Sequence, residues 1–284
     1  MSAIDKYFNH FNDQLNESHK LDIIKMYNNI QTYDYYDIFD TDMTFNSIHL
    51  NNNKNKYTLL KPKNHHLIKT TVILSNKTKI YKIFIFQNDN NKDYFLINTL
   101  REFYFQTKFR EHFINNNITN IIVPEIYRYG IINIEKNNEI ICFAEMKYYD
   151  PSDSEMYKMI EQEQTYKKKV EKLYDYSKFY NDVIHVVIRE AEEQLQIYHN
   201  DVLGIGVNMT QYHDDLHMYD ETGLSREYSD INTKFIYANI FPSSNNNHIL
   251  IDFERASLLK YKDVYNGHYS TRILKNLIND IDIN

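Results

Sequence analysis

HILIDFERAS, residues 248–257, is the stretch on which the reading of this chain turns. The apolar run Ile249, Leu250, Ile251 has strand character and delivers Asp252 at the strand's end. A carboxylate there either caps a turn or meets a metal, and alone it is more often a cap. Its neighbours shift that balance. Upstream, YANIF (237–241) sets Asn239 thirteen positions before Asp252 (252 − 239). Two short strands joined by the turn at 242–247 would bring both side chains to one edge, where an amide oxygen and a carboxylate suit a hard cation such as Mg²⁺. Earlier still, YHDDLH (212–217) carries Asp215, able to accept a proton from a hydroxyl or orient it, next to His213, able to brace the loop backbone.

Working outward, the strand-like stretches at 67–74 and 79–86, separated by the turn composition Ser-Asn-Lys-Thr, predict a hairpin. Residues 93–114 follow with helical period: Leu96, Leu100, Phe103, Phe109 and Phe113 form an apolar stripe, with Glu102 offset from most of it. Strands are predicted at 127–134 and 139–146, then a charged helix at 153–176. A strongly periodic helix follows at 181–199, through Val183, Val187, Ala191, Leu195 and Tyr198. At the N-terminal end, Ile4, Tyr7, Phe8, Phe11 and Leu15, then Leu21, Ile24 and Tyr27, predict helices packing on the main body. Strands gathered in the first half and helices in the second predict an α+β chain with a sheet-rich part and a helical part.

In order, His213-Asp214-Asp215-Leu216-His217, Asn239 and Asp252-Phe253-Glu254 resemble the protein-kinase-like superfamily, whose catalytic loop carries H-x-D, then Asn, then a strand ending in D-F-G. H-x-D-L-H and LIDFER are closer to its atypical and small-molecule branches, among them aminoglycoside-phosphotransferase-like, RIO-type and lipopolysaccharide-core sugar kinases. The resemblance implies a bilobal fold: a helical extension at 1–60, a small antiparallel-sheet lobe at 61–148 and a reduced helical lobe at 149–284. It implies ATP and Mg²⁺ as cofactors. Lys82 in KIYKIF becomes the phosphate-contacting lysine, with Glu102 as its ion-pair partner and Lys79 with Glu111 as the other candidate pair. Residues 145–148, including Glu145 and Lys147, become the adenine-binding hinge; Asn239 and Asp252 become metal ligands, and Asp215 the acceptor-orienting carboxylate.

The sequence also departs from that pattern. It has five glycines, the earliest at Gly130, so no glycine-rich phosphate loop precedes Lys82, and the turn at 75–78 would have to substitute. Asn239 stands 24 positions after Asp215 (239 − 215) where the family uses five, implying an insertion at about 218–234; Asp220 occupies the five-residue position and is the alternative ligand. Few residues follow Asp252, which argues against the usual peptide-docking helices. These departures keep a second function open: an impaired pseudokinase serving as a protein-binding or regulatory module.

Bulk properties narrow the class. The chain has 284 residues and is 42% hydrophobic and 25% charged, ordinary for a folded protein despite a mean hydropathy of −0.62. A net charge of −7 argues against a nucleic-acid partner, which needs clustered basic surface. The single cysteine, Cys142, sits in strand-like context and reads as a buried thiol; with no membrane-length apolar run and a polar start, the chain reads as soluble and intracellular. Its Asn-, Ile- and Lys-rich usage reflects AT-rich codons and has the look of viral relatives.

Overall fold

The structure, a computed structural model, describes residues 17–39, 58–65, 69–76, 78–135, 138–150, 154–155, 158–159, 162–199, 239–254 and 256–258. Its elements in chain order are α1 (Glu17–Asn28), α2 (Tyr35–Ile38), β1 (Thr58–His65), β2 (Lys69–Ser75), β3 (Lys79–Gln87), α3 (Lys92–Asn115), β4 (Ile121–Ile122), β5 (Ile126–Ile134), β6 (Glu139–Lys147), α4 (Tyr166–Phe179), a π turn (Tyr180–Ile184), α5 (His185–Leu195), β7 (Ile240–Pro242) and β8 (His248–Leu250). This is an α+β protein. Its described residues fall into two units, one within 1–111 and 123–149, the other within 112–122 and 150–284.

The first unit is built on an antiparallel sheet of order β1-β2-β3-β6-β5. The expected hairpin is present, with Ile73 opposite Lys82 and Leu74 opposite Tyr81. Asn76 closes its turn: the Oδ1 accepts from the Thr78 and Lys79 amides at 3.2 and 2.8 Å. Those amides are therefore occupied within the turn. Alternation along β3 sends Tyr81, Ile83 and Ile85 to one face, where they pack with Val72, Leu74, Ile141, Phe143, Ile38 and Phe39. Phe84 and Phe86 point to the other, against Leu96, Leu100 and Phe103 of α3 and Cys142, Ala144 and Met146 of β6. Because β3 is covered on both faces, its centre is almost continuously apolar, and Lys82 is the exception.

β1 escapes a periodicity reading because Lys61, Pro62 and Lys63 break its alternation. Its pairing with β2 shifts register between Leu59 and Lys61 and again before Asn64, around a proline that has no amide to donate; such a strand belongs at the sheet edge, where it lies. At the other edge, residues 31–33 run along β5: the Tyr33 amide donates to Ile131 O and the Ile131 amide to Gln31 O, both at 2.9 Å. The close approach needs Gly130, since a Cβ there would lie 2.5 Å from the Tyr33 ring and 2.7 Å from Gln31 O. On α1 it is Ile23 that is fully buried, whereas Leu21, expected on the apolar stripe, is half-exposed. The stretch holding Ile4 to Leu15 lies outside the described residues.

In the second unit, β8 is the middle strand of a small sheet, parallel to β4 and antiparallel to β7. The charged helix expected at 153–176 appears as α4 from Tyr166. The helix expected at 181–199 is α5 preceded by the π turn, and the turn's extra residue shifts the phase: Ile184, Ile188 and Ala191 are buried, while Val183 is exposed. α5 ends in the left-handed residue Gln196 (φ 53°), after which Ile197, Tyr198 and His199 are all buried.

Candidate functional site

In the first unit, the Lys82 ammonium donates to Glu102 Oε1, and the two residues are only 7% and 3% exposed. The register explains the meeting. Lys82 shares the α3-facing side of β3 with Phe84 and Phe86, and Glu102 lies on the turn of α3 that also presents Phe103 to that side. The Nζ also lies 5.4 Å from the Phe84 ring centroid. A lone ammonium in such an apolar seam would be costly to desolvate, and the carboxylate offsets that cost. The product is a fixed cation whose position is set by strand, helix and counter-ion together.

The other expected pair does not form. Lys79 pairs with Glu145, and Glu111 with Lys108 at 3.2 Å. Lys79 lies on the opposite face of β3 from Lys82, which points it away from α3. Glu145 shares that opposite face, where its buried carboxylate also accepts from Arg128 Nε at 2.6 Å. Burial opposes the Arg128 charge, but the Glu145 carboxylate outweighs it and raises the guanidinium's pKa. Glu145 is thus the anion of a sheet-locking triad. It sits in an internal strand between Tyr81 and Arg128, so its backbone groups face neighbouring strands. Lys147 closes β6 with its ammonium 5.0 Å from the Tyr149 ring centroid, and the Tyr148 amide donates to Thr78 O.

In the second unit, Asn239 immediately precedes β7, and Asp252 lies two residues beyond β8. Ile240 pairs with Leu250, and the ladder extends one step further, the Ile251 amide donating to Asn239 O at 2.8 Å. The hairpin therefore brings the amide and the carboxylate residue to the same end. Asp252 has φ 62°, the left-handed region that L-residues other than Asn and Asp seldom occupy. Phe253 behind it is fully buried, and Glu254 is exposed.

His199 holds this bend, and the sequence reading passed over it. Its Nε2 donates to Ile251 O at 2.9 Å, and its ring meets Phe253 edge-on with centroids 4.7 Å apart and planes at 70°. Next to it, Tyr198 and Ser257 exchange two backbone hydrogen bonds of 2.7 and 2.8 Å. The signal was there to find: His199 opens a second H-x-D triplet, His199-Asn200-Asp201, directly after the most periodic helix in the chain. Asp215, Asp220, His213 and the stretch at 218–234 lie outside the described residues, as do Asn200 and Asp201.

Among the described residues, no cluster of three or more His, Cys, Asp or Glu could enclose a metal. Asn239 and Asp252 are hard oxygen donors brought to one hairpin end, which fits Mg²⁺, an ion that keeps several waters and takes one or two protein oxygens alongside phosphate. Among the described residues, no helix is long and apolar enough to cross a membrane. No family model matches the chain, and no curated protein is significantly similar to it.

Proposed function

We propose that this protein is an ATP- and Mg²⁺-dependent phosphotransferase of bilobal, atypical kinase-like fold, passing the γ-phosphoryl group to a hydroxyl acceptor. One observation carries the reading: a buried lysine on the third strand of a small antiparallel sheet, ion-paired with a glutamate on the helix that follows, the arrangement that positions nucleotide phosphates in protein kinases. The Asn239–Asp252 hairpin end supports it independently from the second unit. Phosphoryl transfer asks little covalent chemistry of the protein; positioning and charge neutralisation supply most of the rate.

In this reading Lys82 neutralises phosphate charge and Glu102 fixes its direction. Asn239 and Asp252 hold Mg²⁺, which supplies charge neutralisation at the phosphate oxygens when bound. The acceptor hydroxyl is oriented by the carboxylate of an H-x-D triplet. Asp215 is the one expected from the motif; the placement of His199 against Ile251 and Phe253 favours Asp201. Glu145 and Lys147 mark the strand end nearest the adenine, with Glu145 acting through the sheet it locks. The alternative, a pseudokinase acting as a binding module, keeps the same fold and draws its support from the missing glycines.

Nucleotide binding to the native state must raise apparent stability, by RT ln(1 + [L]/Kd) for a single site. Millimolar ATP with Mg²⁺ should therefore raise the melting temperature of the parent and not that of Asp252→Ala, and Asp201→Asn should lose more turnover than Asp215→Asn. Absence of any shift with ATP or GTP would refute the nucleotide reading; a shift without turnover would favour the pseudokinase.

A further inference from the structure

α4, the π turn and α5 follow one another without a break from Tyr166 to Leu195, and the two sides of this long helix differ. Inward it presents Ile184, Ile188, Ala191 and Glu192, all buried, and at Tyr176 it is tied to β8, where the hydroxyl bonds the His248 ring and the two rings stack 5.7 Å apart. Outward, Lys168, Lys172, Phe179, Val183, Val186 and Glu190 are exposed at helical spacings of three, four and seven. Phe179, Val183 and Val186 are 48%, 40% and 46% exposed, three large apolar side chains gathered on one face. Single apolar residues at a surface need no explanation, but a stripe of them does. A groove of about 410 Å³ lies on the same side of α5, lined in part by Val186, Glu190 and Glu193.

The stripe is also ordered by charge. Lys168 and Lys172 precede the apolar centre, and Glu190 and Glu193 follow it. Arg189, the one Arg or Lys of α5, is turned onto the buried Glu192, while Asp175 and Lys178, exposed in the earlier half, are one of each sign. The spacing is symmetric about residue 181: Phe179 and Val183 stand two positions either side of it, Tyr176 and Val186 five, Lys172 and Glu190 nine, Lys168 and Gln194 thirteen. A second copy laid antiparallel about a twofold axis at that point sets Phe179 against Val183 and each Lys172 opposite a Glu190, with Glu193 within a turn of Lys168. A parallel copy would set lysine on lysine and glutamate on glutamate. We propose that this face is the interface of a homodimer, closed by antiparallel pairing of the helix at 166–195 with the same helix of a second copy. The apolar centre supplies affinity, and the exposed ion pairs, individually weak, set direction and register. From Lys168 to Glu193 the helix runs about 38 Å at 1.5 Å per residue, so the ridges of one copy can lie in the grooves of the other along a long shared seam. Nothing in the pairing depends on the phosphotransferase reading.

Sedimentation equilibrium of the purified full chain should give a concentration-dependent mass between the 34.4 kDa of one chain and twice that value. Lys172→Glu and Glu190→Lys should each raise the dissociation constant at least about tenfold, because each sets like charges opposite one another twice per dimer. Val183→Asp, at the apolar centre, should weaken association by at least about as much. The double reversal Lys172→Glu/Glu190→Lys should return the constant to within about threefold of the parent, and an equimolar mixture of the two single reversals should associate where neither does alone, since opposite charges then meet again across the seam. A parent that stays at one chain's mass up to about 100 μM overturns the proposal and leaves the face to a different partner. A dimer that all three single variants leave intact overturns it as well, as does a loss that neither the double reversal nor the mixture relieves. Should a reversal not fold, Lys172→Gln and Glu190→Gln take its place, with weakening of at least about threefold expected and parent-like association against the proposal.

Discussion

At the scale of single residues, Lys82 and Glu102 illustrate why removing half of a buried pair differs from removing all of it. Lys82→Met leaves Glu102 buried without its cation, and Glu102→Leu leaves an ammonium in an apolar seam; either should cost about 3–5 kcal/mol in urea unfolding. The double variant should lie closer to the parent than either single one, because neither charge remains to be desolvated. Additive losses would mean the pair contributes nothing jointly. Tyr27 offers a pH-dependent counterpart. Burial first, then its hydrogen bond of 2.7 Å to Asp93, pushes its phenol up to about 12. With the folded value above the unfolded one, this group's stabilisation is fully present below about 10 and is lost as pH climbs toward 12. Tyr27→Phe should therefore flatten the fall in stability between pH 10 and 12, while costing about 0.5–1.5 kcal/mol at neutral pH for the lost bond. An alkaline limb as steep as the parent's would show that Tyr27 is not its source.

At the scale of elements, the sequence was most legible where one periodicity ruled. The β2–β3 hairpin and α3 stood out because two strand-forming runs flank a polar turn and a period-3.6 apolar stripe follows, and Lys82 and Glu102 meet because Lys82 lies on the α3-facing side of β3 and Glu102 on the turn of α3 that presents Phe103 to it. Legibility failed where a local irregularity reset the pattern. Pro62 hid β1, and the π turn moved the buried stripe of α5 onto Ile184 and Ile188. Glu145 was read for its backbone, though parity places its side chain between Lys79 and Arg128. His199 was missed because its partner Ile251 is 52 residues away and no short-range pattern links them. The β5 edge yields a prediction of its own. Gly130→Ala should destabilise the protein by about 1–3 kcal/mol, since the added methyl would drive Tyr33 and the backbone of Gln31 off the strand. Chemical denaturation measures this, and a neutral substitution would show that 31–33 does not hold the edge in solution.

At the scale of the whole molecule, each of the two units carries a polar arrangement that can be recognised by itself. The first presents a fixed, buried cation on a small sheet backed by one long helix. The second presents a hairpin end with an amide and a strained carboxylate residue, held by His199. At this scale composition gives a direction only: a net charge of −7 argues against nucleic-acid binding and singles out no reaction. The most direct test of the phosphotransferase reading is the rate at which the purified full chain consumes ATP with and without Mg²⁺, in the parent and in Asp252→Ala. The account predicts Mg²⁺-dependent consumption that falls about 100-fold or more in Asp252→Ala, in line with the loss of one preorganised charge-stabilising group; consumption equal in parent and variant, or none in either, would contradict it.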